Sequence, residues 1–301
     1  MTEQQDPVHP LPLSGRPDHR PGRCPLLPSL LAVFAHPDDE SLLAGGVLAQ
    51  HAAAGAQTAV VTATWAPDSR RAAELAAALD VLSAGAPRML GYGDARNGSS
   101  APGRPRWCDV PLDDAVAQVV AHIRQVRPDI VVTHDALGQL TGHPDHRRTH
   151  QVTLLAMEAA GIAHLHPEAG EPWQPRALYA ATHPQSGIGD LGPLLCGVGK
   201  TLLAVPDEYV AAAVNVTEWI DRKWRAICSH SSQLEGERPL PALLSRVDTE
   251  RRDRILATEY FTHLSLTTGG PVTSALTSGP TVHGEVPSRL TSPNQRPRPA
   301  R

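Results

Sequence analysis

Two short motifs bring together side chains that can bind a metal ion and move protons. The sequence HPDDE occupies residues 36–40, and HPDH occupies residues 143–146. Imidazole nitrogens and carboxylate oxygens are common zinc ligands, and a catalytic zinc site has three protein ligands and an open position for water. We therefore predict a zinc hydrolase site built from both motifs, with His36, Asp39 and His146 as the ligands.

A carboxylate that does not bind the metal is needed to take a proton from water. Neighbouring residues at a helix start point in different directions, so Asp38 and Asp39 cannot easily share one task. Zinc lowers the pKa of water to about 7 and polarises a carbonyl. We predict Asp38 as the general base. Each motif also has a structural explanation, since acidic residues stabilise helix starts and histidines occur beside surface turns.

The elements around the motifs predict where they meet. Residues 30–35 form a continuous apolar run that is typical of a buried strand, and a helix is predicted at residues 41–54. Another buried strand, the fourth in chain order, is predicted at residues 129–133, and it precedes a helix that begins at Pro144. Parallel strands end at one edge of a sheet, where α/β proteins bind ligands. Both motifs are therefore expected at the same edge.

The rest of the chain alternates strands and helices. Strands are predicted at residues 58–64 and 88–91, with one helix capped by Asp68 and another beginning at Asp113. Beyond residue 177 the pattern loosens, and the predicted elements are strands at 177–180 and 201–205 and helices at 217–228 and 248–257. This order predicts an α/β fold with a mainly parallel sheet, in a single domain at residues 29–265.

Composition excludes several classes of protein. The net charge of −4 and the lack of a basic stripe argue against a nucleic-acid partner. No apolar run approaches the ~20 residues of a membrane span. The four scattered cysteines form no C-x-x-C pair and indicate reduced thiols in a cytoplasmic protein. The proline-rich ends, residues 1–28 and 266–301, are predicted to be a disordered leader and tail.

The sequence resembles the PIG-L/LmbE-like family of zinc-dependent N-deacetylases. Its two hallmarks are unaltered, AHPDDE at residues 35–40 and HPDH at residues 143–146. Weaker agreements are Arg71 with Glu74, the turn at Asp94, and a segment that begins at Lys223 and includes HSSQ at 230–233. The resemblance implies a Rossmann-like three-layer sandwich. It also implies the same zinc ligands and the same general base.

The resemblance implies roles for four more residues. His143 is expected to stabilise the oxyanion and protonate the leaving amine, and Asp145 is expected to orient His143. Arg71 and Asp94 align with residues that hold sugar hydroxyls. No G-x-G-x-x-G follows the first strand, so a nucleotide is not implied.

Two positions depart from the family pattern. The loop at residues 64–68 lacks the usual Gly–Glu pair, and its Trp65 is expected either to stack on a sugar or to cover the core. Thr141 stands where some members have a tyrosine, so any tyrosine contribution to the oxyanion is absent or comes from elsewhere.

Several alternatives stay open at this point. The first hypothesis is removal of the N-acetyl group from an N-acetylglucosamine-type amino sugar or its glycoside, a small-molecule substrate. The second is cleavage of a larger amide, as in mycothiol-conjugate amidases, and the third is a metal-binding module without catalysis.

Fe2+ or another divalent ion suits the ligands as well as Zn2+. His150 is an alternative ligand, His134 and Asp135 either touch substrate or form loop structure, and an oligomer is possible.

Overall fold

The computed structural model describes residues 27–265. The predicted tail and all but the last two residues of the predicted leader lie outside this range. Seven strands and eight α-helices are found within it, in this chain order: β1 (Leu30–Phe34), α1 (Asp39–Ala53), β2 (Thr58–Thr64), α2 (Arg70–Leu82), β3 (Arg88–Tyr92), α3 (Leu112–Val126), β4 (Ile130–His134), α4 (Pro144–Ala160), β5 (Ala177–Thr182), α5 (Leu191–Cys196), β6 (Ala212–Asn215), α6 (Ile220–Ser229), α7 (Leu240–Leu244), α8 (Thr249–Leu256) and β7 (Thr258–Ser265).

The seven strands form one sheet in the order β3-β2-β1-β4-β5-β7-β6. The first five of these strands are mutually parallel, and β7 runs antiparallel to both β5 and β6. The prediction of an α/β fold with a mainly parallel sheet is confirmed. The strand order reverses direction between β1 and β4, and a crevice opens at such a reversal because the loops from the two strands diverge.

Strand β1 is packed on both faces, which accounts for its unbroken apolar sequence. Leu30, Ala32 and Phe34 pack into a core with residues of α1 and α2, whereas Leu31 and Val33 pack into a core with residues of α3 and α4. Successive side chains of a strand point to opposite faces of the sheet. Both faces of β1 are therefore buried between helical layers, as the three-layer prediction requires.

The two helices that follow the motifs begin close to where they were predicted. Pro144 is in the first turn of α4, and Gly161 lies at its C-cap. Helix α1 begins at Asp39, two residues before the predicted start, so its first turn contains both Asp39 and Glu40. With 17 residues, α4 is the longest α-helix of the described range, where no helix is both long and apolar enough to cross a membrane.

Some elements differ from the prediction. Ser69, not Asp68, caps α2, because its side chain accepts the backbone N–H of Ala72. The predicted strand at 201–205 is wrong, since only Val205 forms an isolated bridge there. The strands β6 and β7 were missed. They form an antiparallel edge of the sheet, and β7 begins two residues after α8 ends, without a glycine or proline to mark the change.

Gly46 tests the packing of α1 against the segment before α6. A Cβ atom at Gly46 would overlap the side chain of Val216. Replacing glycine by alanine in an open helix stabilises a protein by about 1 kcal/mol, but overpacking a core costs about 1–3 kcal/mol. We expect Gly46→Ala to lower the melting temperature, by about 2–4 °C for each kcal/mol lost.

Thermal unfolding followed by circular dichroism measures this effect. Gly98→Ala is the control, because a Cβ atom there would meet nothing within 4 Å, and its melting temperature should match the wild type. A Gly46→Ala protein that melts at or above the wild-type temperature would show that α1 does not pack this closely.

Candidate active site

Both motifs lie at the crevice between β1 and β4. His36 and Asp39 follow β1, and His143 and His146 follow β4. All four line a cavity with a volume of about 280 Å³. The two motifs thus meet at one sheet edge, as the strand ends predicted.

The three residues expected to bind the metal converge. Nδ1 of His36 lies 3.0 Å from Nε2 of His146 and 3.3 Å from Oδ2 of Asp39. Nε2 of His146 lies 3.4 Å from Oδ1 of Asp39. Ligand atoms at about 2.0–2.2 Å from a tetrahedral ion lie roughly 3.3 Å from each other. The spacing and chemistry of this donor set fit one divalent ion.

The charge balance of the site also calls for a cation. Burial opposes a charged His36, but hydrogen bonds to the carboxylates of Asp145 and Asp39 outweigh it and raise the pKa of His36 to about 10. Burial likewise opposes ionisation of Asp39, yet His146 and His134 hold its pKa well below the usual range. Buried charges must be paired or coordinated, and a divalent ion would supply the positive charge that a proton on His36 otherwise supplies.

His134 packs against His146, one of the three expected ligands. Its ring stacks on that of His146, with centroids 3.9 Å apart and planes within 8°. Nε2 of His134 accepts the backbone N–H of Ala35 and lies 3.4 Å from Oδ2 of Asp39. Burial, together with the neighbouring His146, lowers the pKa of His134 to about 3. His134 is therefore a neutral packing partner of the ligand ring.

His150 and Asp135 lie outside the cluster formed by the three expected ligands, His36, Asp39 and His146. Nδ1 of His150 lies 2.7 Å from the carbonyl oxygen of His134. The carboxylate of Asp135 accepts the backbone N–H of Gln139 and the hydroxyl of Thr182. Asp135 thus stabilises its own loop, and His150 is held by the end of β4.

Asp38 lies beside the ligands without joining them. Its φ of 131° is in the left-handed region, which is strained for a non-glycine residue. Oδ1 of Asp38 lies 2.9 Å from the guanidinium of Arg71. Burial raises the pKa of Asp38, and Arg71 partly counteracts this. The carboxylate lines the cavity next to His36 and Asp39, where it can accept a proton.

A buried Glu40–His230 pair holds the strained loop in place. Glu40 accepts the backbone N–H of Asp38 and the hydroxyl of Ser41, and its Oε1 lies 2.7 Å from Nε2 of His230. Burial opposes protonation of His230, but Glu40 raises its pKa. Neither residue was assigned a role from the sequence, although His230 lies within one of the weaker family agreements.

His143 and Asp145 interact differently from the expectation. Nδ1 of His143 accepts the backbone N–H of Asp145 at 3.2 Å, whereas the Asp145 carboxylate is 3.8 Å away from it, too far for a hydrogen bond. That carboxylate instead lies 3.2 Å from Nε2 of His36. Asp145 thus orients His36, in the carboxylate–imidazole pairing found behind metal-bound histidines.

Neutral His143 carries its proton on Nε2, because Nδ1 is an acceptor. Burial, together with the nearby His36 and His146, lowers the pKa of His143 to about 2. The His143 ring also lines the cavity. Its Nε2–H group is therefore a neutral donor close to the ligand cluster.

Two more contacts fix the Asp145 carboxylate. The backbone N–H of Ala95 donates to Oδ2 at 2.8 Å, and the thiol of Cys108 donates to Oδ1 at 3.1 Å. Burial and the Asp145 carboxylate together raise the pKa of Cys108 to about 12, so the thiol keeps its proton. No sequence pattern indicated Cys108, because a lone cysteine has no spacing to a partner.

Arg71 and Asp94 line the same cavity from the side of β2 and β3. Besides Asp38, the guanidinium of Arg71 contacts the carbonyl oxygen of Pro37 and stacks on Trp65, 4.7 Å from the ring centroid. Oδ2 of Asp94 lies 3.4 Å from Nε2 of His36. Trp65 thus packs against Arg71, a contact that neither of the two expectations for it described.

Comparison with known proteins shows the family. Residues 31–157 match the PIG-L family, described as GlcNAc-PI de-N-acetylase. A 1D-myo-inositol 2-acetamido-2-deoxy-alpha-D-glucopyranoside deacetylase from Rhodococcus jostii is 37% identical over 239 residues, which cover 68% of this chain and 81% of that protein. The chain belongs to the PIG-L family of de-N-acetylases. A deacetylase of the same name from Geodermatophilus obscurus is 34% identical over 270 residues, covering 77% of this chain and 90% of that protein.

Solved structures support the fold. The N,N'-diacetylchitobiose deacetylase of Pyrococcus horikoshii superposes with a TM-score of 0.55 at 18% identity, covering 80% of this chain and 85% of the other. At this identity the likeness shows a shared fold.

The two histidines of α4 provide a matched pair of variants, since His146 lies in the ligand cluster and His150 is one turn further along. Removing a residue that merely orients a ligand costs about 10–100-fold in metal affinity. We expect His146→Ala to weaken zinc binding by more than about 100-fold and His150→Ala to leave it unchanged. Zinc titration against a competing chelator measures both. Loss of zinc in the His150 variant, with retention in the His146 variant, would reverse the assignment.

Proposed function

We propose that this protein is a metal-dependent deacetylase that removes the N-acetyl group of an N-acetylglucosamine glycoside, with the myo-inositol glycoside as its substrate. The observation that carries the proposal is the convergence of His36, Asp39 and His146 in one cavity, beside the Asp38 carboxylate, which lies outside this cluster. The relatives named above support the substrate class.

We propose zinc as the ion, held by His36, Asp39 and His146. Two imidazoles and one carboxylate form a usual catalytic zinc set with an open position, and ferrous iron suits the same ligands. When bound, the ion supplies Lewis acidity, which lowers the pKa of water and polarises the amide carbonyl. The thiols of Cys108, Cys196 and Cys228 are free, which suits the reducing cytoplasm as the place of the reaction.

Asp38 takes the proton from the attacking water. Its carboxylate is held by Arg71 at 2.9 Å, and its backbone is fixed by Glu40. Both contacts reduce the reorganisation needed during proton transfer, since the acceptor is already positioned. Asp39 faces His36 and His146 instead, which keeps the base and the ligand separate.

His143 acts on the other side of the amide. Its Nε2–H donates a hydrogen bond to the oxygen on which negative charge develops, an interaction of the kind worth about 10²–10³-fold in rate. The expected proton transfer from His143 to the amine does not fit a neutral ring, which would become an imidazolate, so Asp38 passes the proton it took from water to the leaving amine. The Asp145 backbone holds this tautomer through Nδ1 of His143.

Arg71 and Asp94 provide the hydrogen-bonding groups for the sugar. A guanidinium offers five N–H donors, so Arg71 keeps donors beyond those used on Asp38 and Pro37. Asp94 is an acceptor in the cavity wall. In this proposal, the sugar lies on the β2 and β3 side of the ligands.

Replacing Asp38 by asparagine removes the base while keeping its size. General-base catalysis contributes about 10²–10⁴-fold, so we expect kcat to fall within that range while zinc content is unchanged. Free-amine release from N-acetylglucosamine–inositol measures kcat. Asp68→Asn, an exposed carboxylate outside the site, is the control and should retain full activity. An Asp38→Asn enzyme with wild-type kcat would remove Asp38 from the mechanism.

Removing the metal tests whether amine release depends on it. We expect dialysis against a chelator to abolish amine release and added Zn2+ to restore it, because the polarising charge is lost and regained. Parallel reconstitution with Fe2+ compares the two ions. Full activity in metal-free protein would contradict the proposal.

A further inference from the structure

The cavity has an apolar half that an acetyl group does not fill. Beyond the ligands, its wall includes six aliphatic side chains from α1, α5, α7 and α8: Leu42, Leu43, Leu191, Leu195, Leu240 and Ile255. Of these, Leu42, Leu43, Leu240 and Ile255 are only partly buried. Apolar surface is thus left open beside the reaction centre.

The strand order places Leu191, Leu195 and Ile255 on one side of the ligands, whereas Leu42 and Leu43 lie on α1, directly after β1. The ligands follow the central strands β1 and β4, and Arg71 and Asp94 follow β2 and β3 on one side of them. On the other side, α5 follows β5 and α8 leads into β7. A scissile amide that places its carbonyl at the ligands and its sugar at Arg71 and Asp94 therefore directs its acyl group towards the apolar half.

Two charged groups of the cavity wall are paired with each other. Nζ of Lys223 lies 2.7 Å from Oε1 of Glu259, and both side chains are nearly fully buried. The Glu259 carboxylate also accepts the backbone N–H groups of Gly46 and Val47. Because this pair is satisfied within the protein, the aliphatic side chains and Lys200, which also lines the cavity, are what this half presents to a ligand.

We propose that the apolar half is an acyl subsite, and that the enzyme hydrolyses N-acylglucosamine glycosides whose straight aliphatic acyl chain is longer than acetyl. This inference rests on the proposed function. Water adds to the amide carbonyl, the carbon–nitrogen bond breaks, and the amine nitrogen takes the proton. The products are a free amino sugar and a carboxylic acid of the same chain length.

A series of substrates with one sugar and increasing acyl length tests the subsite. Acetyl, butanoyl, hexanoyl and octanoyl glucosamine–inositols are compared by kcat/KM with the zinc-loaded full chain. Burying one methylene contributes about 0.8 kcal/mol, which corresponds to about fourfold. We expect kcat/KM to rise with each added methylene by up to this factor until the apolar half is full.

Two variants locate the effect in the apolar half. Ile255→Trp fills space there, and Leu240→Gln places an amide in the apolar wall. We expect each to reduce the ratio of octanoyl to acetyl kcat/KM to one or below. Leu155→Trp, on an exposed position of α4, is the matched control and should keep the wild-type ratio. Circular dichroism verifies that each variant folds, and the two different substitutions keep the test valid if one does not.

The outcomes separate this inference from the proposed function. Hydrolysis of the acetyl substrate with kcat/KM falling at every added methylene would overturn the acyl subsite and leave the deacetylase intact. A second series keeps the acetyl group and varies the aglycone from methyl to hexyl and octyl. A gain confined to that series, lost in Ile255→Trp, would assign the apolar half to the aglycone and also overturn the proposal. No hydrolysis of any amide would overturn the proposed function itself.

Discussion

Buried negative charge is the constraint on which the carboxyl edge of this sheet depends. Asp38, Asp39, Glu40 and Asp145 all lie near one another with little exposure to water, which is costly unless each carboxylate finds a positive or hydrogen-bonding partner. Each partner comes from a different part of the chain: Arg71 for Asp38, His36 and His146 for Asp39, His230 for Glu40, and the Ala95 backbone with Cys108 for Asp145. The site is thus assembled only when the whole sheet is formed.

The same constraint explains how the HPDDE motif accommodates three neighbouring carboxylates, each of which faces a different partner. The strained backbone at Asp38 turns its side chain away from that of Asp39. Glu40 stabilises this conformation by accepting the Asp38 N–H and pairing with His230. One carboxylate then faces the ligands, one faces Arg71, and one is wholly internal. Residues held in sparsely populated conformations are typical of functional sites, where surrounding contacts pay the strain.

A second buried charge pair ties the antiparallel edge to the site. Glu259 on β7 accepts N–H groups from α1 and pairs with Lys223 of α6. Helix α1 carries Asp39 at its start, so β7 and α6 help to hold the helix that positions this proposed metal ligand. The antiparallel edge also lies next to Leu191, Leu195 and Ile255, which line part of the apolar half that we propose as an acyl subsite.

The sequence by itself determined the parallel core and the meeting of the two motifs. Buried parallel strands require unbroken apolar runs, and polar residues directly after such runs must lie at one edge. Those local rules sufficed to predict that His36, Asp39 and His146 lie together and that Asp38 lies outside this cluster. They also predicted the start of α4, because Pro144 is restricted to the first helical turn.

Only the tertiary structure decided the contacts between residues far apart in the chain. The pairing of Asp145 with His36 instead of His143, the thiol of Cys108 on Asp145, and the Glu40–His230 pair join positions separated by 37 to 190 residues. Side-chain direction at such distances depends on how helices and loops pack, which no local spacing specifies. The antiparallel strands β6 and β7 were missed for the same reason, since pairing with a distant strand, rather than local pattern, makes them part of the sheet.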